Sequence, residues 1–151
     1  FLFHVVVAAP SVDALVEILD ATTRGADTEL EPLPSGAEVA EIQALAREIA
    51  CGKHILRYAA EIVAATSPTT DSGATYVRFG ASPRAAQAMI LGAKVRAMLA
   101  GRELVQTADV DACALPALRH RVMLTFEAEA AGETVERLLP GWLERAAKAA
   151  R

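Results

Sequence analysis

The chain has 151 residues, a formal net charge of −4 and 53% hydrophobic residues, yet aromatics make up only 5%. That length holds one core of ordinary domain size, and the wealth of alanine and leucine is the profile of a helical protein, since both lose little on entering a helix. The acidic balance argues against general nucleic-acid binding, which needs many phosphate-neutralising cations, and no uninterrupted apolar run of about 18 residues provides a membrane span. Cys51 and Cys113 match no metal-ligand spacing. Two isolated thiols in an acidic protein fit a reducing, cytoplasmic setting, both being expected as buried structural cysteines. The chain opens on Phe1 instead of methionine, and Phe1–Ala9 lacks the charged start of a signal peptide, so Phe1 reads as a cut end.

Phe3 to Ala8 reads as a strand, β-branched through Val5, Val6 and Val7 and stopped by Pro10. One short strand forms no sheet, so its partners are expected elsewhere or outside the chain. Ser11 then caps a helix whose Val12, Leu15, Val16 and Leu19 keep the rhythm of a core-facing stripe. Residues 21–34 hold Gly25, Pro32 and Pro34 and read as a loop. Ser35 and Glu38 make a capping box for a second helix, with Val39, Ile42, Leu45 and Ile49 inward and Gly52 at its end. A third helix carries Ile55, Leu56, Ala59, Ile62 and Val63 on one side, before a turn-forming linker over 66–75 and a brief extended stretch from Tyr76 to Phe79.

Gly80-Ala81-Ser82-Pro83-Arg84 opens the longest apolar helix, which runs from Pro83 to about Ala100 with Gly101 as its C′ residue. Ser82 is a favoured N-cap, its hydroxyl able to accept from the N–H of residue 84 or 85, and Pro83 suits the first helical position. Arg84 follows, a cation among free backbone N–H groups at the positive end of the helix dipole. That combination can receive an anion, and phosphate is the fitting guest. The pentad alone reads more readily as a plain helix start with a surface arginine, and it is the context that favours the anion. Apolar residues on several faces mark this helix as central and buried, and Gly92 within it, costing roughly 1 kcal/mol against alanine, signals close approach by a neighbour.

Leu104 and Val105 read as a short extended link, and Thr107 as the cap of a fifth helix with Asp109 in its first turn. Pro116 is expected to bend or divide that helix before Leu118-Arg119-His120-Arg121. Glu133 to Arg151 is helical by composition, interrupted at Pro140-Gly141, with Trp142 docked on the body. Charge is graded along the chain: residues 1–50 are acidic, whereas 78–121 carry Arg78, Arg84, Lys94, Arg96, Arg102, Arg119 and Arg121. Arg119 and Arg121 would either face another subunit or cap a helix C-terminus.

Catalytic patterns are missing. Gly52-Lys53 fails the phosphate-loop pattern on both sides, and Arg84 stands where a nucleophile elbow needs glycine. His4, His54 and His120 have no metal-ligand spacing. No metal site is expected, and the chain alone is not a complete enzyme.

In order, Gly80-Ala81-Ser82-Pro83-Arg84-Ala85, the Ala-rich helix to Gly101-Arg102, Val105-x-Thr107-x-Asp109-Val110 and Leu118-x-His120-Arg121 resemble the lid region of MoxR-type AAA+ ATPases. The opening Phe1-Leu2-Phe3, Pro10 and the helix Val12 to Leu19 resemble the segment leaving the ATPase core of that family, so the likeness spans roughly residues 1–125. It implies a mainly α fold, a helical bundle with one short N-terminal strand left from the core. Residues 1–10 would end the core and 11–151 would form the lid. It implies a parent that hydrolyses ATP with Mg²⁺ as a homo-oligomeric ring, a hexamer by expectation, in chaperone-like remodelling or maturation, with a von Willebrand factor A-domain protein as partner. Arg84 is similar to the sensor 2 arginine that reaches the nucleotide phosphates, with Ser82 beside it; the remaining ATPase motifs would lie before Phe1. No cofactor is expected on the lid alone. The sequence departs from the family at Ser67, where an arginine often follows the threonine, and in the linker over 67–75. Two other readings stand beside this one: a freestanding helical interaction module without nucleotide, and a helix-turn-helix DNA binder using 78–121.

Overall fold

A computed structural model describes residues 1–25, 35–68 and 76–150; most of the loop expected over 21–34 and of the linker over 66–75 lies outside these. In the described residues the order is α1 (Val12–Thr23), α2 (Gly36–Glu48), α3 (Lys53–Ala65), β1 (Val77–Phe79), α4 (Pro83–Leu99), α5 (Thr107–Leu118), β2 (Met123–Leu124), α6 (Phe126–Ala130) and α7 (Val135–Ala149). The fold is mainly helical, as expected.

The core is the meeting of α3, α4, α5 and α7. α4 turns Ala85, Ala88, Met89, Gly92, Ala93 and Ala97 inward, and α5 answers with Val110, Cys113, Ala114, Ala117 and Leu118. Such small side chains let the two axes approach closely, because the distance between packed helices is set by what stands at the contact. A Cβ on Gly92 would meet the Phe3 ring and stand 2.8 Å from Cys113 Sγ, which is the close approach its position foretold. α7 lays Val135, Leu139, Trp142 and Ala146 against α3 and α5, and Trp142 is buried in the core.

Helix ends follow local chemistry. Ser11 accepts from the Ala14 amide at 3.2 Å, and Ser35 and Glu38 close their capping box at 3.3 and 2.6 Å. Gly101 adopts φ +67° after α4, which glycine alone does without strain. The cap of α5 is Gln106, not Thr107; its N–H donates to Asp109 Oδ2 at 2.9 Å. Gly52 starts α3, whereas α2 has already ended at Glu48.

Several expectations are corrected. Residues 1–10 form no strand: among the described residues no strand lies beside them, a single backbone–backbone bond from His4 N–H to Pro116 O ties them to another segment, and Val5, Val6 and Val7 are exposed. The strands that form are β1 and β2, an antiparallel pair with Val77 opposite Leu124 and Phe79 opposite Met123. The stripes on α1 and α2 do not face this core: Val12, Leu15, Val16, Leu19, Val39, Ile42 and Leu45 are all exposed, and α2 buries only Ala46. Leu56 of α3 is likewise exposed, while Tyr58 is buried in its stead and donates to Asp111 Oδ1 at 2.7 Å. Burial and Asp111 together push the Tyr58 phenol well above its ordinary range. Neither proline divides its helix. Pro140 lies exposed within α7, which loses one ladder bond there and continues to Ala149, and Pro116 falls in the last turn of α5. Cys113 is buried but Cys51 only partly so, and burial pushes both thiols above their ordinary range.

Asp109 is the one acidic side chain buried among the described residues, and Arg102 grips it with two hydrogen bonds of 2.7 Å. The Arg102 bonds hold its carboxyl below the usual range despite the opposing effect of burial. A lowered folded-state value stabilises above the ordinary carboxylate range, near 4, and that contribution is lost as pH falls through the folded value. Asp109→Asn is therefore expected to lower the melting temperature by roughly 5–10 °C at pH 7, with the gap to the parent closing on acidification, as thermal unfolding across pH would read. Gly92→Ala should gain nothing from its better helix propensity, because the methyl displaces Phe3. Hydrogen exchange would show lost protection at the His4 amide, which donates to Pro116 O at 2.8 Å.

Candidate functional site

The start of α4 faces outward. Ser82 is extended at φ −94° and ψ 170°, Pro83 takes the first helical position, and Arg84 the second. The Ser82 hydroxyl makes no capping bond, contrary to expectation; its carbonyl instead accepts from the Ala85 amide at 2.8 Å. The Arg84 amide thus stays free of a helical partner, and its side chain is exposed.

Of the seven cations over 78–121, Arg84 alone makes no hydrogen bond, ion pair or cation–π contact with the described residues. Arg78 stacks on the Phe79 ring at 5.3 Å. Lys94 donates to Arg47 O at 2.5 Å, and Arg96 lies 4.0 Å from Asp109, which Arg102 already holds. The basic stretch is therefore spent on internal bonds, not laid out as one cationic face.

Arg119 and Arg121 serve the C-terminus of α5, where four carbonyls lack helical partners. Leu115 O accepts from the Arg119 amide at 3.0 Å, Pro116 O from the His4 amide, and Leu118 O from the Arg121 amide at 2.8 Å. Ala117 O accepts from Arg121 Nη1 at 2.5 Å. The same guanidinium donates to Leu2 O at 3.0 Å and Phe1 O at 2.6 Å, so it straps the N-terminal segment to α5. Arg119 pairs with Glu136 at 2.6 Å and lowers that carboxyl's pKa alongside the backbone bond at Glu136 itself. The capping reading fits Arg121 alone, since the Arg119 side chain turns to Glu136 and His4 O instead. His4 and His120 come edge to face at 6.1 Å, a meeting the spacing does not reveal, and His120 is lowered by partial loss of solvent and then by Arg121. Among the described residues no group of three or more His, Cys, Asp or Glu side chains could hold a metal ion.

Behind the α4 start sits a residue whose role the sequence pattern does not mark. Thr66, fully buried at the end of α3, donates its hydroxyl to Val63 O at 2.7 Å and accepts from the Ala81 amide at 2.8 Å. The only clue in the sequence is a β-branched polar residue directly after an apolar helical run.

A family model for the AAA lid domain matches residues 73–141. Chaperone MoxR1 of Mycobacterium tuberculosis is 31% identical over 132 residues, covering 85% of this chain. The chain is thus similar to AAA+ lids of the MoxR type. Its fold agrees: a solved structure of a protein assigned as an ATPase, from Cytophaga hutchinsonii, superposes with a TM-score of 0.88 at 25% identity over 96% of the chain. The lid spans 35% of MoxR1 and 46% of the Cytophaga chain, so each of those proteins has more than this lid. No helix among the described residues is long and apolar enough to cross a membrane.

The strap gives a direct test of which arginine matters to the fold. Arg121→Ala leaves Ala117, Phe1 and Leu2 carbonyls without their donor and should cost about 1–2 kcal/mol. Arg119→Ala removes a pair whose Glu136 end is 45% exposed and should cost less than about 1 kcal/mol. Urea unfolding of the two variants measures the difference.

Proposed function

We propose that this lid couples ATP binding and hydrolysis to movement in a ring-forming chaperone-like ATPase, with Arg84 as its sensor 2 residue. The observation carrying this reading is Arg84 itself. It is exposed at the second position of α4, beside its own free amide, and has no anionic partner among the described residues. A buried helix fixes its direction, and an unspent guanidinium at a helix N-terminus is suited to phosphate oxygens. The residues present fit a nucleotide as contributors only. Arg84 would reach the phosphates with Ser82 beside it, while the bulk of the site and any Mg²⁺ ligands would come from the core domain. Bound there, the triphosphate supplies the hydrolysable bond. Arg84 donates to oxygens that gain charge as that bond breaks, and in doing so draws the lid toward the core.

The exposed apolar stripe of α1, from Val12 to Leu19, supports the same reading. A helix with no buried residue and so much exposed leucine and valine fits a further domain of the parent, and we take residues 1–10 as the end of that core and 11–151 as the lid. A homo-oligomeric ring, by expectation a hexamer, a von Willebrand factor A-domain partner and a cytoplasmic setting complete the proposal. They rest on the family likeness to a protein named as a chaperone. The DNA-binder reading is disfavoured by the burial of α4 and by the internal pairing of the cations.

Arg84→Ala in the full-length parent should lower ATP turnover by about 10²-fold, with Arg84→Lys recovering part of it. Steady-state ATPase assays and nucleotide titration read both effects. Turnover and nucleotide affinity unchanged by Arg84→Ala would remove the role.

A further inference from the structure

The start of α4 lacks the side-chain cap that normally fixes a helix N-terminus, since the Ser82 hydroxyl makes no capping bond. Something else must hold the segment just before it. Among the described residues, Thr66 meets it in two ways. Its hydroxyl has one proton and two lone pairs: the proton goes to Val63 O at 2.7 Å, and a lone pair receives the Ala81 amide at 2.8 Å. Its carbonyl occupies the space where a side chain on Gly80 would stand. A Cβ there would lie 2.5 Å from Thr66 O, 2.9 Å from Thr66 C and 3.1 Å from Ser67 Cα. All three are backbone atoms and cannot swing aside. The α3 end to which this clasp is anchored is itself tied to α7, whose Arg145 Nη2 donates to Ala65 O at 3.2 Å.

We propose that Thr66 and Gly80 are positioning residues for Arg84. They clamp residues 80 and 81 to the end of α3 and thereby set the direction in which α4 presents its guanidinium. The proposal rests on the reading of Arg84 as the phosphate contact. Thr66 touches no substrate; it acts through the Ala81 amide, just upstream of Arg84. The hydroxyl is the working group: valine would keep the shape and strand the part-buried Ala81 N–H, whereas serine would keep the bond.

The test uses the full-length ATPase with Thr66→Val, Thr66→Ser and Gly80→Ala, each with Arg84 and with Arg84→Ala, reading kcat, KM for ATP and the melting temperature. With Arg84 present, Thr66→Val should lower kcat/KM about five- to thirty-fold, and Thr66→Ser should stay within about two-fold of the parent. Gly80→Ala should reproduce the loss, which keeps the test open if Thr66→Val does not fold. In the Arg84→Ala background neither Thr66→Val nor Gly80→Ala should lower turnover further, because the group they aim is gone. Equal losses in both backgrounds would make the clasp a support of the fold alone and overturn the proposal. A full effect of Arg84→Ala with none from Thr66→Val or Gly80→Ala would overturn it while sparing the reading of Arg84. No effect of Arg84→Ala would overturn that reading, and the clasp's purpose with it.

Discussion

The close seam between α4 and its neighbours is the constraint on which the molecule depends. Alanines 85, 88, 93 and 97 and Gly92 line it, and each is fully or nearly fully buried. With mostly small side chains along it, the helices can approach closely, and interiors packed at high density transmit displacement instead of absorbing it. α4 is thus a stiff rod wedged among α3, α5 and the N-terminal segment. Its outer end carries Arg84, the one cation of the basic stretch without a partner among the described residues, so a pull on it would be passed to the helix.

Electrostatics divides along the same line. Most positive charge in the second half of the chain neutralises something internal: Arg102 holds Asp109, Arg119 holds Glu136, and Arg121 satisfies carbonyls that α5 leaves open. The net charge and the gradient along the sequence therefore say little about ligands. What matters is which cation has no use within the fold, and that is visible only once the partners of the others are known.

Short-range chemistry was legible from the residues. The caps at Ser11 and Ser35, the turn at Gly101, the crowded Gly92 and the buried Trp142 all follow from rules acting over a few positions. Arg84 was legible as a candidate, since a proline and an arginine opening an apolar helix announce themselves in order. What the pattern missed depends on things a linear reading lacks. The apolar faces of α1 and α2 are real, but periodicity says only that a face is sticky, not that its partner is in the same chain. The valines near the N-terminus have strand propensity and no strand to pair with. Pro140 lies within α7, where the helix continues through it. Ser82 is a good cap by type, yet the local backbone turns its hydroxyl to no use. Thr66 was hidden because its value lies in a bond between residues far apart in sequence.

Arg121 grips residues 1 and 2 by their main-chain oxygens, not by their side chains. Every amino acid offers that oxygen, proline included. The anchorage is therefore blind to composition: those two positions are free to drift through substitution while the entry path into the bundle keeps its course. Loss of the guanidinium, by contrast, would leave that path held by the Phe3 ring and the bonds at His4.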